Sequence, residues 1–263
     1  MATTLPLTQL ERELRQKVAT SCRIIGNRNV TRGALGHVSA RVPGTDRILI
    51  KAKGPDEEAL EFAVERDVIV ISINGEVLEA PDGLTAPNET AMHLAVFRRR
   101  PEVMSVIHSH PDWVVVLTGT SRPLVPMVGA YDGGASLRLI TEGVPVYPRS
   151  LTIINDELGE DFMNTMGDHR ACLLAGHGMT VAGASVEEAT QTSLTVYELA
   201  RLNYLAYAIG QPQAVSEQDR TEYLARRASG PYTPDRRRAG SSGEPAFWRY
   251  EKKRLPDLPK NGR

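Results

Sequence analysis

The sequence has few of the residues that build covalent or strongly electrostatic frameworks. Two of its 263 residues are cysteines, Cys22 and Cys172, and they lie 150 positions apart. Neither belongs to a Cys-x-x-Cys pair, which speaks against a disulfide scaffold and suits a reducing compartment. Neither sign of charge is in excess, with 31 Lys and Arg against 32 Asp and Glu. The chain therefore lacks the electrostatic signature of a nucleic-acid or membrane-surface binder. No apolar run approaches the ~20 residues that a membrane helix needs. A charged-then-apolar leader pattern and an internal repeat are missing as well. Together these absences lead us to expect a soluble cytoplasmic protein with neither nucleic acid nor membrane as a partner. Basic residues gather only at Arg98-Arg99-Arg100 and between Arg226 and Arg238, and both groups read as solvated faces.

What is present reads as alternating helix and strand. Leu10, Leu14, Val18, Cys22 and Ile25 form an apolar stripe that predicts a helix over 7–28. Residues 36–42 and 47–51 alternate around the turn Pro43-Gly44-Thr45-Asp46 and predict a hairpin. Residues 68–73 form a further strand, and Asn74-Gly75 is the pair that a tight hairpin turn favours. Pro87 stands where a helix would begin, with helical spacing over 88–99. A strand over 103–108, a short helix over 112–117, a helix over 157–166 and paired strands around Gly176-His177-Gly178 follow. The longest helix covers 186–209, and residues 124–147 read as loop. Strands and helices do not alternate strictly, which favours a mainly antiparallel sheet covered by helices. We read residues 1–210 as one domain and 211–263 as an extension that docks on it or on a neighbouring subunit.

Chemistry concentrates in three places. His108 and His110 are two apart on a predicted strand, so both imidazoles leave the same face. His177 sits between two glycines in a turn, where a packing role is unnatural and close backbone approach is easy. Three neutral imidazoles suit zinc, and also manganese, iron or cobalt, with room left for a carboxylate, water or substrate. Glu89 would face them, although an acidic residue at a helix start also answers the helix dipole. His93 shares a helix face with Glu89 and fits either a supporting or a core role. His169 reads as solvated, and His37 as either a substrate contact or structural.

These pieces resemble the class II aldolase/adducin superfamily over about residues 8 to 210. The resemblance rests on Gly36-His37-Val38-Ser39-Ala40-Arg41, Pro87-Asn88-Glu89 with Met92-His93, Val106-Ile107-His108-Ser109-His110-Pro111 and Leu173 to Met179. It implies a single-domain, three-layer α/β/α fold with a mainly antiparallel central sheet. It also implies a fourfold-symmetric homotetramer with active sites at subunit interfaces. It assigns His108, His110 and His177 to a divalent metal and Glu89 to general acid/base work. A tyrosine from a neighbouring subunit assists in sugar-phosphate aldolases of the superfamily, and Tyr131 lies in about that region.

The departures from the superfamily pattern point to the substrate. Sugar-phosphate members hold phosphate with a Gly-Asn-x-Ser turn, a Thr-x-Ser-Gly-like loop and a Ser-Ser pair before the glutamate. Here His37 replaces the Asn beside Ser39, the second loop reads Lys51-Ala52-Lys53-Gly54, and Pro87-Asn88 precedes Glu89. Cationic or protonatable groups suit a carboxylate better. His37, Ser39, Lys51, Lys53 and Gly54 are thus expected to contact substrate. The chain looks most like the decarboxylase branch, the 3,4-dihydroxyphthalate decarboxylase-like group. Alternatives are an aldolase for a non-phosphorylated hydroxy-acid and an adducin-like binding module. The full set of three histidines and Glu89 counts against the module.

Overall fold

The apolar stripe of the first helix is longer than the surface it covers. In a computed structural model, which describes residues 9–127, 133–228 and 244–258, helix α1 (Gln9–Asn27) buries Val18, Cys22, Ile24 and Ile25 and leaves Leu10 exposed at its start. The chain then forms β1 (His37–Arg41) and β2 (Arg47–Lys51), joined through Gly44, and β3 (Val68–Ser72) and β4 (Val77–Glu79), joined through Gly75. Both glycines have positive φ, 72° and 89°, which L side chains rarely adopt. Next come α2 (Thr90–Arg99), β5 (Ser105–Ser109), α3 (Asp112–Gly119), α4 (Gly133–Glu142), β6 (Val146–Tyr147) and α5 (Asp156–Met166). The chain continues with β7 (Ala171–Leu174), β8 (Gly178–Gly183), α6 (Val186–Ile209), α7 (Glu217–Ala228) and α8 (Ala246–Arg254).

The eight strands form one sheet in the order β4-β3-β2-β1-β5-β8-β7-β6. Every neighbouring pair is antiparallel except β6–β7. Strand alternation divides the core in two. Val38, Leu49, Val70, Ile107 and Val181 face the layer that holds α1 and α6. Ile48, Ile50, Ile69, Ile71, Val106 and Ala182 face α2 and α5. The result is a three-layer α/β/α architecture with a mainly antiparallel sheet. Among the described residues no helix is long and apolar enough to cross a membrane.

Several local expectations change. Residues 124–147 contain a helix, α4, whose Leu139 and Ile140 are buried. Gly133-Gly134 opens it, and tertiary contact overrides the low propensity of those residues. Arg98 and Arg99 are not a merely solvated face. They ion-pair with Asp156 and Glu160 at 2.6 and 3.1 Å and tie α2 to α5. His169 is partly buried, with Nδ1 2.9 Å from the Met166 carbonyl. In the extension, α8 carries Trp248 into the α1/α6 side of the core, where 1% of it stays exposed. Glu251 of α8 pairs with Arg28. Both cysteines are free and fully buried, and burial pushes each thiol up to about 12, so neither is a nucleophile.

Candidate active site

The antiparallel register puts three polar side chains in one row across the middle of the sheet. His37 of β1 lies opposite His108 of β5, and His108 opposite Thr180 of β8. All three point toward the α2/α5 layer. Close approach of these strands depends on glycine. Gly36 has φ +93°, and a Cβ there would sit 2.8 Å from the His108 carbonyl oxygen. A Cβ on Gly178 would sit 2.3 Å from the Ser109 carbonyl oxygen. Glycine is therefore required at both positions.

Four groups converge above this row. His110 follows the end of β5, His177 occupies the β7–β8 turn after Gly176 (φ +64°), and Glu89 immediately precedes α2. The Glu89 carboxylate makes no capping bond to the helix. It turns instead to the imidazoles, with Oε2 3.1 Å from His108 Nε2 and 3.9 Å from His110 Nε2, and Oε1 3.5 Å from His177 Nε2. His108 Nε2 and His110 Nε2 are 2.8 Å apart. One ligand atom from each of the four lies within 4.8 Å of the others.

Hydrogen bonding behind the cluster determines what it presents. Thr180 Oγ1 donates to Met92 Sδ at 3.0 Å, so its oxygen is free to accept from His108 Nδ1 at 3.3 Å. That contact fixes the orientation of the His108 ring. Burial pushes His110 down to about 3, helped by repulsion from His108 and His177, so this imidazole is neutral at pH 7. Burial raises the Glu89 carboxyl, but hydrogen bonds and charge from His108 and His177 outweigh it and hold Glu89 well below the usual carboxylate range. Glu89 Oε1 is buried without a hydrogen-bond partner. Three imidazole Nε2 atoms crowd around one carboxylate within the space of a single ion. A divalent cation held by His108, His110 and His177, with Glu89 beside it, fits that donor set.

A second buried chain supports the site. Ser39 Oγ lies 3.2 Å from the Val106 carbonyl, to which it donates, and 2.7 Å from His93 Nδ1. His93 Nδ1–H then donates to Ser39, which leaves His93 Nε2 to accept from His37 Nδ1 at 3.2 Å. The His37 ring stacks on His108, with centroids 5.5 Å apart. Burial first, and then repulsion from His93 and His108, holds His37 well below its ordinary value.

Not every expected contact falls here. His37 lies beside the cluster but is neutral at pH 7, so it is not the cation expected for a carboxylate. Ser39 is fully buried and bonds His93 rather than facing a ligand. Lys51 pairs with Val68 on β3 and lies one residue out of phase with Ser39 and Ile50, so its side chain leaves the opposite face of the sheet. There its ammonium meets the Glu57 carboxylate at 2.9 Å and the Ala52 carbonyl at 2.6 Å. Gly54 packs under Leu84, whose Cδ2 lies 2.7 Å from where a Cβ would be. Lys53 stays near the site, bonded to the side chain of Asn88 next to Glu89. Tyr131 lies outside the described residues. The role of Thr180 escapes sequence reading, because only strand register pairs it with His108, and Met92 is legible only within a motif and not as its partner.

Comparison with known proteins identifies the family. The model of the class II aldolase and adducin N-terminal domain matches residues 16–204. A 3,4-dihydroxyphthalate decarboxylase from Arthrobacter keyseri is 36% identical over 199 residues, 74% of this chain and 79% of that protein. Its counterpart from Terrabacter sp. (strain DBF63) is 39% identical over 203 residues, 76% and 84% of the two chains. The crystal structure of an aldolase II superfamily protein from Pseudomonas syringae shares the fold at a TM-score of 0.78 and 19% identity, covering 95% of this chain and 94% of that one. The chain belongs to the class II aldolase/adducin family, on the side of its decarboxylases.

Proposed function

We propose that this carbon–carbon lyase is a metal-dependent, non-oxidative decarboxylase of a dihydroxylated aromatic carboxylate of the dihydroxyphthalate type. One observation carries the reading. The Glu89 and three-histidine cluster is intact, while the positions that hold phosphate in sugar-phosphate members are committed elsewhere. Ser39 is spent on His93, Gly54 lies under Leu84, and Pro87-Asn88 replaces the serine pair. The relatives above 30% identity named for that reaction support the same substrate class.

A divalent ion, zinc first and manganese, iron or cobalt otherwise, would be held by His108, His110 and His177 and supply Lewis-acid stabilisation of negative charge on substrate oxygens. The protein supplies the proton path. Glu89 rests ionised, so it first accepts a proton, from the substrate hydroxyl that faces it. It then returns that proton to the ring carbon as the carbon–carboxylate bond breaks, and the electron pair of that bond forms the new C–H bond. No redox change and no organic cofactor are needed. His37, with its tautomer set by His93 and Ser39, orients the hydroxyl end of the ring, and Lys53 flanks Glu89. We further propose a cytoplasmic homotetramer with active sites at subunit interfaces, to which Tyr131 of a neighbour contributes. The catalytic domain spans residues 1–210, and residues 211–263 form a docked extension.

The test is carbon dioxide release from 3,4-dihydroxyphthalate by the purified protein, alongside metal analysis and sedimentation. Glu89→Gln should lower the rate about 10²–10⁴-fold and keep the metal on the three imidazoles. An aldehyde product from a hydroxy-acid, with no carbon dioxide, would replace this reading with the aldolase one.

A further inference from the structure

Beside the histidine cluster lies a cavity of about 530 Å³ that no proposed step has used. His110 lines one part of it, so it opens onto the candidate active site. Its other walls include Leu35, Trp113 and Tyr204, with Arg32 and Asp112 among them. The Trp113 and Tyr204 rings lie 5.0 Å apart, tilted by 43°, and Leu35 keeps 54% of its surface exposed. Exposed apolar and aromatic side chains beside a polar cluster suit a flat ring whose polar edge points at the cluster.

A dihydroxyphthalate has two carboxylates and loses one. With the hydroxyl pair at the histidine cluster, the carboxylate ortho to a hydroxyl would lie nearest the cluster and be the one lost, and the other would stay on the product. A retained carboxylate in an apolar cavity needs a fixed cation. Lys51 is committed to the Glu57 carboxylate and the Ala52 carbonyl, Lys53 is bound to Asn88, and His37 is neutral. Arg32 is the cation among the described lining residues. It pairs with Asp112 through a single Nη2 contact, which leaves Nη1 and Nε of the guanidinium fork free of that contact. The pair is well exposed, 76% and 48% by side chain, and so restrains the arginine only weakly.

We propose that Arg32 binds the carboxylate that the substrate keeps, and so selects aromatic dicarboxylates over simple catechols. The assignment rests on the decarboxylase reading of the same site. It is tested by titrating the full-length, metal-containing protein with 3,4-dihydroxybenzoate and with catechol, followed by calorimetry. The wild type should bind the carboxylated ligand roughly tenfold more tightly. Arg32→Gln should reduce that preference to within about twofold while catechol affinity is unchanged, which also reports an intact fold. Asp112→Asn should keep the preference, because the guanidinium remains. A wild type without preference, or an Arg32→Gln variant that retains it, overturns the proposal. No carbon dioxide from 3,4-dihydroxyphthalate, with carboxylate-dependent binding still lost in Arg32→Gln, would instead overturn the decarboxylase reading and leave Arg32 as a carboxylate site.

Discussion

Glu89 and the histidines around it show how far a side chain's neighbours decide its chemistry. A glutamate before a helix ordinarily serves the helix dipole, yet here its carboxylate is drawn to the imidazoles and stays ionised. The residues behind the cluster matter as much. Thr180→Val removes the acceptor that orients His108 Nδ1–H, so metal affinity should fall about 10–100-fold, measured by competition with a chelating dye while the circular dichroism spectrum is unchanged. Burial holds His93 down at about 3, against about 6.5 in an unfolded chain. Between those values the unfolded chain binds the extra proton. The contribution of a neutral His93 is therefore complete above about pH 6.5 and is lost as pH falls toward 3, by up to ~1.4 kcal/mol per pH unit. Urea midpoints of the metal-free protein should decline from pH 7.5 to 5, and His93→Gln should flatten that slope. An unchanged slope would mean that His93 already carries a proton in the fold.

At the scale of elements, the site depends on β5 and β8 lying close enough for His110 and His177 to meet. Gly178 permits that approach. Gly178→Ala must push a methyl against the Ser109 carbonyl, so we expect a loss of about 1–3 kcal/mol in chemical denaturation together with weaker metal binding. Loss of stability with metal binding intact would show that the strand shifts without moving the ligands. Helix α2 acts at the same scale. Gly159 of α5 sits against Ala91 and Ala95, with a Cβ there only 2.9 Å from Ala95 Cβ, and the arginine pairs to α5 add to that contact. Glu89, just before α2, is thereby held by a helix packed closely against α5.

Across the whole molecule, the sheet separates two cores, and the candidate site belongs to only one of them. The extension reinforces the other. Trp248 fills the α1/α6 side, and Trp248→Ala should cost about 3–5 kcal/mol, read from the urea midpoint. Metal content should change little, because the sheet stands between Trp248 and the histidine row. Coupled loss of metal would show that the two layers move as one unit.

Much of this was legible along the chain. Hydrophobic periodicity and turn residues located α1, the hairpins and α6, since those signals are local and repeat with the period of the element. The histidine pair, His177 in its glycine turn and Glu89 could be named from spacing and residue type, because few other roles suit an imidazole between two glycines. Helix α4 could not be read, since its glycine-rich start resembles a loop until buried contacts of Leu139 and Ile140 stabilise it. Lys51 could not be separated from Ser39, because a one-residue phase difference reverses the face of the sheet and only strand register shows it. The Thr180 and His93 chains and the cavity beside Arg32 join residues tens of positions apart. Sequence determined which chemistry was available, and tertiary structure decided which groups share a face, which are neutralised by burial and which remain free to meet a substrate.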